Sequence, residues 1–315
     1  MTTPAIDHVI LTRFNLPSTG RESLIRAQDG WLRNRVSLFE RYCLPSVLRQ
    51  DTDAFKWIIY FDPESPKWLT DWVQSLEESA NFVPIFRESV SHADLLVDLH
   101  AVTGGQGQTL ITTNLDNDDA VATDFVSRIQ AAVQGRARQA IYLANGLVLN
   151  EPNLYVHRDQ DNAFCSVAES WNAPLTAWTD WHNRLHLHMQ VNVVEGPPSW
   201  LQVIHGTNVS NRVHGRLTRP RDHFVRFGSL NADLPEPGRV KYFTEAFAAR
   251  PLRISFWAMR SLAKRLVLLA AGRDGLESLR NTVAASASRV PVPFLSRNPR
   301  QRAAEPEPSD LNASG

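Results

Sequence analysis

Short apolar runs alternate with helix-like segments along the first half of the chain, and this alternation limits the fold more than any other feature. The runs that predict strands cover residues 7–14, 56–61, 82–86, 109–115 and 139–143. Helical patterns lie between them at residues 31–48, where Pro45 predicts a kink, and at 66–76, 91–99 and 123–134. Strands that alternate with helices favour a mainly parallel, doubly wound α/β sheet flanked by helices. In such sheets, ligands bind beyond the carboxyl ends of the strands.

Charge is balanced over the whole chain but not along it. The 315 residues include 33 Lys and Arg and 33 Asp and Glu, so the formal net charge is zero. A nucleic-acid partner is therefore not expected. Residues 250–302 nevertheless hold eleven basic and two acidic residues. The chain combines a mildly acidic body with a basic C-terminal segment.

Cysteine content and hydropathy indicate in which cellular compartment the protein works. Cys43 and Cys165 stand in apolar contexts and are too few for a disulfide scaffold, so both are predicted to be reduced core thiols. Residues 1–7 lack the charged and apolar regions of a signal peptide. The sequence also lacks an uncharged run of about 18 apolar residues, the pattern of a membrane-spanning helix. These features predict a cytoplasmic protein.

The second half of the chain has a different pattern. Short strand-like pieces stand between turns at residues 147–149, 154–157 and 164–167, in a region rich in Trp and His. We interpret this region as a binding region added to the sheet. The predicted organisation is one domain over residues 1–230, with halves 1–145 and 146–230, then a C-terminal helical extension over 231–289 and a disordered tail over 290–315.

Four polar residues, Asp116, Asn117, Asp118 and Asp119, follow the fourth predicted strand directly. Carboxylates crowded at one point repel each other, which is costly without a cation, and oxygen ligands suit Mg²⁺ or Mn²⁺. Such an ion commonly completes its coordination with substrate phosphates. Capping of the next helix by Asp118 or Asp119 is an alternative that can hold at the same time. An EF-hand fits poorly, because Val121 stands where its glycine is expected.

Four sequence motifs resemble those of the GT-A glycosyltransferases. They are ILTRFN at residues 10–15, LPSVLRQ at 44–50, FKWIIYFD at 55–62 and TNLDNDD at 113–119, the last similar to the D-x-D motif of these enzymes. The resemblance covers residues 7–230 and is greatest to bacterial rhamnosyltransferases. It implies a GT-A-like fold and the transfer of a sugar from a nucleotide-diphosphate donor to a glycan or lipid-linked acceptor. Residues 1–145 would then bind the nucleotide sugar and residues 146–230 the acceptor.

The resemblance also implies a metal centre. Asp118 would bind the Mn²⁺ or Mg²⁺ ion that bridges the diphosphate, and Asp116 would contact the ribose or the ion. His205 would complete the metal or diphosphate site. A divalent ion suits this reaction because the leaving group is a nucleoside diphosphate, on which negative charge develops.

Three further residues are implied to lie near the nucleotide. Arg13 and Asn15 stand in the loop that follows the first predicted strand, and Asp62 would lie near the nucleobase and the sugar. The sequence departs from the family directly after Asp62, because Pro63 stands where many relatives have a second Asp.

Two carboxylates in the second half are candidates for the base that an inverting transferase needs to deprotonate the acceptor hydroxyl. Glu169 follows a predicted strand, and Asp180 stands among tryptophans whose rings could stack on a sugar. The sequence ranks the two close together, and a retaining enzyme would not use a base in this way. Trp171 or Trp178 would form a stacking platform for the acceptor, and the alternative is that the tryptophans are ordinary core residues.

Residues 251–271 mix large apolar and basic residues at helical spacing. A helix that lies on an anionic membrane surface would have this pattern. An ordinary helix packed on the body with a basic outer face would have it too. Peripheral membrane contact at the inner face of the membrane is therefore one of two interpretations.

A metal-dependent glycosyltransferase is the function that these features favour. A nucleotidyltransferase would share the sheet and the acidic site, but its usual Gly-rich loop is poorly matched by Gly20-Arg21. A non-catalytic calcium- or carbohydrate-binding protein is the other alternative, and it would bind sugar without releasing a nucleoside diphosphate.

Overall fold

The computed structural model describes residues 6–17, 30–77, 82–205, 213–228, 233–253, 255 and 259. The chain divides into two compact units, Met1–Ala248 and Ala249–Gly315. The predicted tail and most of the predicted helical extension lie outside the described residues. Among the described residues, the search for a helix long and apolar enough to cross a membrane found none.

Twelve strands form two sheets in the described part of the chain. They are β1 (Ile6–Arg13), β2 (Lys56–Phe61), β3 (Val83–Phe86), β4 (Thr109–Asn114), β5 (Ala120–Val121), β6 (Gln139–Leu143), β7 (Asn145–Asn150), β8 (Asn153–Arg158), β9 (Ser166–Glu169), β10 (Gln190–Val194), β11 (Trp200–Val203) and β12 (Arg216–Thr218). The central sheet has the order β10-β6-β9-β4-β1-β2-β3, and the second has the order β12-β8-β7-β11-β5. In the central sheet, β9 is antiparallel to both neighbours and the other pairs are parallel. The predicted mainly parallel α/β sheet is therefore confirmed.

Helices connect the parallel strands. Those described are α1 (Trp31–Leu38), α2 (Leu44–Leu48), α3 (Lys67–Glu77), α4 (His92–Thr103), α5 (Phe125–Ala131), α6 (Phe224–Phe227) and α7 (Arg239–Thr244). A wider π-helical turn, Phe39–Cys43, joins α1 to α2 just before Pro45. Proline lacks the N–H of a regular helical turn and crowds the carbonyl of the preceding turn. The irregularity predicted at Pro45 is therefore a widened turn in a continuous helical segment.

Both faces of the central sheet are buried. In β1, Ile10 packs in one apolar cluster, whereas Val9 and Leu11 pack in another. Alternate side chains of a strand point to opposite faces, which explains why a strand covered on both faces is a continuous apolar run. Cys43 and Cys165 are free and buried, as predicted.

The order of the strands leaves a crevice at the carboxyl ends of the two central strands β1 and β4. The chain passes from β1 to β2 and β3 on one side of β1, and it then crosses to β4 on the other side. Ligands of doubly wound sheets bind at such a reversal, beyond the carboxyl ends of the strands. Here β1 ends at Arg13 and β4 ends at Asn114. The doubly wound architecture thus brings the polar ends of two distant segments together.

Candidate functional site

A cavity of about 870 Å³ opens at the carboxyl ends of β1 and β4. Arg13, Asn114 and Asp116 line it on the side of the central sheet. The second half of the chain lines the other side, with Trp178, Asp180, Trp181, His157, His214 and Trp200 among its residues. The size and the mixture of polar and aromatic groups suit a small-molecule ligand.

The acidic turn joins the two sheets. It follows β4 of the central sheet and leads directly into β5, which pairs with β11 of the second sheet. Asp116 is exposed and faces the cavity, whereas Asn117, Asp118 and Asp119 are buried. Oδ1 of Asp119 accepts a 2.8 Å hydrogen bond from the backbone N–H of Val203. Asp119 therefore fastens the turn to β11 and does not cap α5, which begins only at Phe125.

The side chains of Arg35 and His205, which come from distant parts of the chain, both contact Asp118. Its Oδ2 lies 2.6 Å from Nη1 of Arg35 and 2.7 Å from Nε2 of His205. Burial opposes ionisation of the carboxyl group, but the hydrogen bond from His205 and the charge of Arg35 outweigh it. The pKa of Asp118 is consequently held below its ordinary value.

The neighbouring carboxyl groups shift in the opposite direction. Although Asp116 is open to the cavity, the surrounding protein removes part of its hydration, and the charge of Asp118 repels a second charge; both effects raise the pKa of Asp116. The pKa of Asp119 is raised well above its ordinary value, first by burial and then by the charges of Asp118 and Asp116. The charge of Asp118 thus contributes to the raised pKa of both neighbouring carboxyl groups.

The three donors that the resemblance implies are of a chemical type that binds Mn²⁺ or Mg²⁺, but only Asp116 lines the cavity. Asp118 and His205 are in contact, and Asp116 lies on the same turn with its carboxylate toward the cavity. Within the described ranges, no group of three or more His, Cys, Asp or Glu residues could hold a metal ion alone. Substrate phosphates would therefore have to complete the coordination, as they commonly do for Mg²⁺.

Arg35 belongs to this site although its sequence context did not indicate it. The residue lies on α1, and its Nη1 also donates a 3.1 Å hydrogen bond to Oδ1 of Asn117. Nδ2 of Asn117 in turn donates a 2.7 Å bond to the carbonyl oxygen of Phe14. Arg35 stands in the sequence as an ordinary polar position of a helix, and only the packing of α1 brings it to a turn more than 80 residues away.

Arg13 and Trp178 form one wall of the cavity. The guanidinium carbon of Arg13 lies 3.9 Å from the centre of the Trp178 ring, a cation–π arrangement. Nε1 of Trp178 donates a 2.8 Å bond to Oδ1 of Asn114, which fixes the ring at the end of β4. Trp171, the other predicted platform, instead donates to Asp7 at the opposite end of β1 and does not line the cavity.

Asn15 and Asp62 are bonded to each other and lie outside the cavity lining. Oδ1 of Asn15 accepts a 3.0 Å bond from the backbone N–H of Asp62, and its Nδ2 donates to Oγ of Ser65. Oδ1 of Asp62 accepts a 2.8 Å bond from the N–H of Glu64. The two residues fasten the loop after β1 to the turn after β2. Their contacts with a nucleotide stay a prediction.

Asp180 is the candidate base that faces the cavity. Its Oδ2 lies 3.0 Å from Nε2 of His188, and its Oδ1 accepts a 2.8 Å bond from the N–H of Trp181. The bond from His188 and then that from Trp181 lower the pKa of Asp180. An ionised carboxylate is thus available at the acceptor side of the cavity.

Glu169 lies elsewhere, because β9 runs antiparallel to β4 and pairs Glu169 with Leu110 near the start of that strand. The buried carboxylate lies 2.5 Å from Nε of Arg138 and accepts backbone N–H bonds from Leu175 and Thr176. It does not line the 870 Å³ cavity. These contacts hold Glu169 at the end of the sheet opposite to the cavity, and its role as a base stays a prediction.

The comparisons with known proteins agree with the resemblance in the sequence. The family model described as "Putative rhamnosyl transferase" matches residues 7–217. A search of curated proteins finds no match.

Three solved structures show distant likeness. Structures of TarS from S. aureus (11% identity, TM-score 0.40) and of GalNAc-T7 with UDP, GalNAc and Mn²⁺ (10%, 0.37) match 63% and 70% of this chain. The chain spans only 37% and 48% of those two proteins. The mannosyltransferase PcManGT from Pyrobaculum calidifontis, in complex with GDP-Man and Mn²⁺, matches 92% of this chain and 77% of its own (15%, 0.36).

TM-scores below 0.5 are too low to support an assignment, so the family match carries it. That match covers two thirds of the chain and includes the acidic turn and the strands that flank the cavity. The chain belongs to the family described as "Putative rhamnosyl transferase", a family of glycosyltransferases.

Proposed function

We propose that the protein transfers a sugar, rhamnose by the description of its family, from a nucleoside diphosphate to a hydroxyl group of a glycan or lipid-linked acceptor. One observation carries the proposal. At the crevice where the sheet reverses, Asp116 faces a cavity of about 870 Å³ and Asp118, on the same turn, is bonded to His205.

The donor diphosphate would bind at the sheet side of the cavity. Asp116, Asp118 and His205 do not form a complete metal site by themselves, so they would share a divalent ion, Mn²⁺ or Mg²⁺, with the oxygens of the diphosphate. Such an ion neutralises charge on the leaving nucleoside diphosphate. The guanidinium of Arg13, held over Trp178, supplies a second positive charge on the same wall. The nucleoside would extend toward the loops that carry Asn15 and Asp62.

The acceptor would bind on the other side of the cavity, where Asp180 is the base in an inverting reaction. Its ionised carboxylate would accept the proton of the attacking hydroxyl group, and His188 keeps that carboxylate in place. Trp181 follows directly and is 72% exposed at the cavity, so its ring offers an apolar face to a sugar. Trp181 suits this role better than Trp178, whose ring is covered by Arg13.

A nucleotide screen by thermal unfolding tests the donor site. UDP, GDP and dTDP are each added with Mn²⁺ or with EDTA. We expect one of them to raise the Tm by roughly 5–10 °C at about 100-fold above its Kd, and only with Mn²⁺. Asp116→Asn should lose this shift, whereas Asp180→Asn should keep it because Asp180 lies on the acceptor side. A shift that survives EDTA, or no shift with any nucleotide, would contradict the proposal.

The screen also separates the alternatives when it is followed by turnover. A transferase releases the nucleoside diphosphate from a nucleotide sugar, and a carbohydrate-binding protein does not. Contact of residues 251–271 with an anionic membrane surface stays a proposal, because only residues 251–253, 255 and 259 of that segment are described.

A further inference from the structure

Two groups compete for a single oxygen atom in the acidic turn. Oδ2 of Asp118 is 2.6 Å from Arg35 and 2.7 Å from His205, and the Arg35 side chain is only 17% exposed. A divalent ion bound to the same carboxylate would meet the fixed positive charge of Arg35 at close range. Like charges at short distance in a desolvated site repel strongly.

One nitrogen of the Arg35 guanidinium has no hydrogen-bond partner in this position. Nη1 is shared between Asp118 and Asn117, while Nε is buried without a hydrogen-bond partner. A buried donor that lacks an acceptor costs free energy, so the charge of Asp118, more than a good hydrogen-bonding fit, holds the group here. The Trp31 ring, one turn earlier on α1, lies 5.3 Å from the guanidinium carbon and adds a cation–π contact in this same position.

We propose that Arg35 is a positioning residue that acts as an internal counter-ion to Asp118 and competes with the divalent ion for it. The inference rests on the proposed function, since it assumes that Asp118 is a metal ligand. Arg35 neutralises the buried carboxylate in the absence of metal, which limits repulsion within the turn. The same contact makes the site a weak one for a free ion. Tight metal binding then requires the additional phosphate oxygens of the nucleotide.

The test measures Mn²⁺ binding without nucleotide, from the electron paramagnetic resonance signal of free Mn²⁺, in the full chain. Arg35→Gln should bind Mn²⁺ about tenfold more tightly than the wild type, because the competing charge is gone. The same variant should have a lower Tm in EDTA and recover it in saturating Mn²⁺. Arg33→Gln is the matched control, because Arg33 lies on the same helix but is exposed and stacks on Trp68. It should change neither quantity.

The outcomes separate this inference from the function on which it rests. Unchanged or weaker Mn²⁺ binding by folded Arg35→Gln, with a wild type that binds Mn²⁺, would overturn the counter-ion role alone. A wild type that binds no Mn²⁺, with or without UDP, GDP or dTDP, would overturn both. If Arg35→Gln does not fold, Arg35→Met replaces it. Methionine removes the charge and keeps an unbranched side chain that can pack in the same place, so Mn²⁺ binding should again tighten by about tenfold.

Discussion

The two ends of strand β4 differ in the carboxylates that lie there, and the difference shows what decides whether such a carboxylate can meet a ligand. β4 and β9 are neighbours, and each ends in or is followed by carboxylates. Because the two strands are antiparallel, Glu169 pairs with Leu110, whereas the acidic turn lies beyond the other end of β4. The acidic turn reaches the crevice of the doubly wound sheet, and Glu169 reaches the end opposite to it.

The surroundings of the carboxylates differ in the same way. Glu169 is 3% exposed and its oxygens are bonded to Arg138 and two backbone N–H groups, so a ligand in the 870 Å³ cavity does not reach it. Asp116 is open to the cavity, and Asp180 lines the other side although both of its oxygens accept hydrogen bonds. Access to the cavity, and not the number of hydrogen bonds, separates the carboxylates that can meet a ligand. Three variants test this contrast.

Asp118→Asn should have the largest effect. Loss of the ionised ligand should lower turnover of the nucleotide sugar on the order of a thousandfold, the equivalent of about 4 kcal/mol in the barrier. Release of the nucleoside diphosphate measures it. Asp119→Asn is the control and should retain most activity, since an amide oxygen can accept the same bond from Val203. If Asp118→Asn and Asp119→Asn lost equal amounts of turnover, the proposal that Asp118 is a metal ligand and Asp119 a structural residue would be contradicted.

Glu169→Gln should act on stability. The substitution leaves the charge of Arg138 without its partner and points an amide donor at donors, which should lower the free energy of unfolding by about 2–4 kcal/mol. Urea denaturation measures this, with Glu195→Gln as control. Glu195 and Arg158 form an exposed pair, whose loss should cost about 0–1 kcal/mol. Turnover per folded molecule should not change. A large loss of turnover with unchanged stability would instead make Glu169 the base.

His188→Ala should have the smallest effect, a change in pH dependence. The bond from His188 is the main cause that lowers the pKa of Asp180, so its loss should raise that pKa. A base must be ionised to act, and the acid limb of the rate profile should therefore move to higher pH. The control is His186→Ala, because His186 lies two positions before His188, is exposed and does not line the cavity. An acid limb that does not move in His188→Ala would argue against Asp180 as the base.

Much of the fold could be predicted from apolar runs, but strand direction could not. The predicted strands at 56–61 and 139–143 have the bounds of β2 and β6, because buried strands are short apolar runs that end at polar residues. The two-residue strand β5 and the antiparallel direction of β9 leave no mark of that kind. The sequence therefore could not show at which end of the sheet Glu169 lies, since an apolar run has the same pattern in both directions.

The sequence by itself determined the elements, the family and the acidic turn, because hydrophobic periodicity and local motifs are written in consecutive residues. Only the tertiary structure brought His205 and Arg35 to Asp118, residues that are 87 and 83 positions away from it. It also decided which carboxylates face the cavity and which are buried away from it. These properties depend on strand order and helix packing, which place residues that are distant in the chain within a few ångströms of one another.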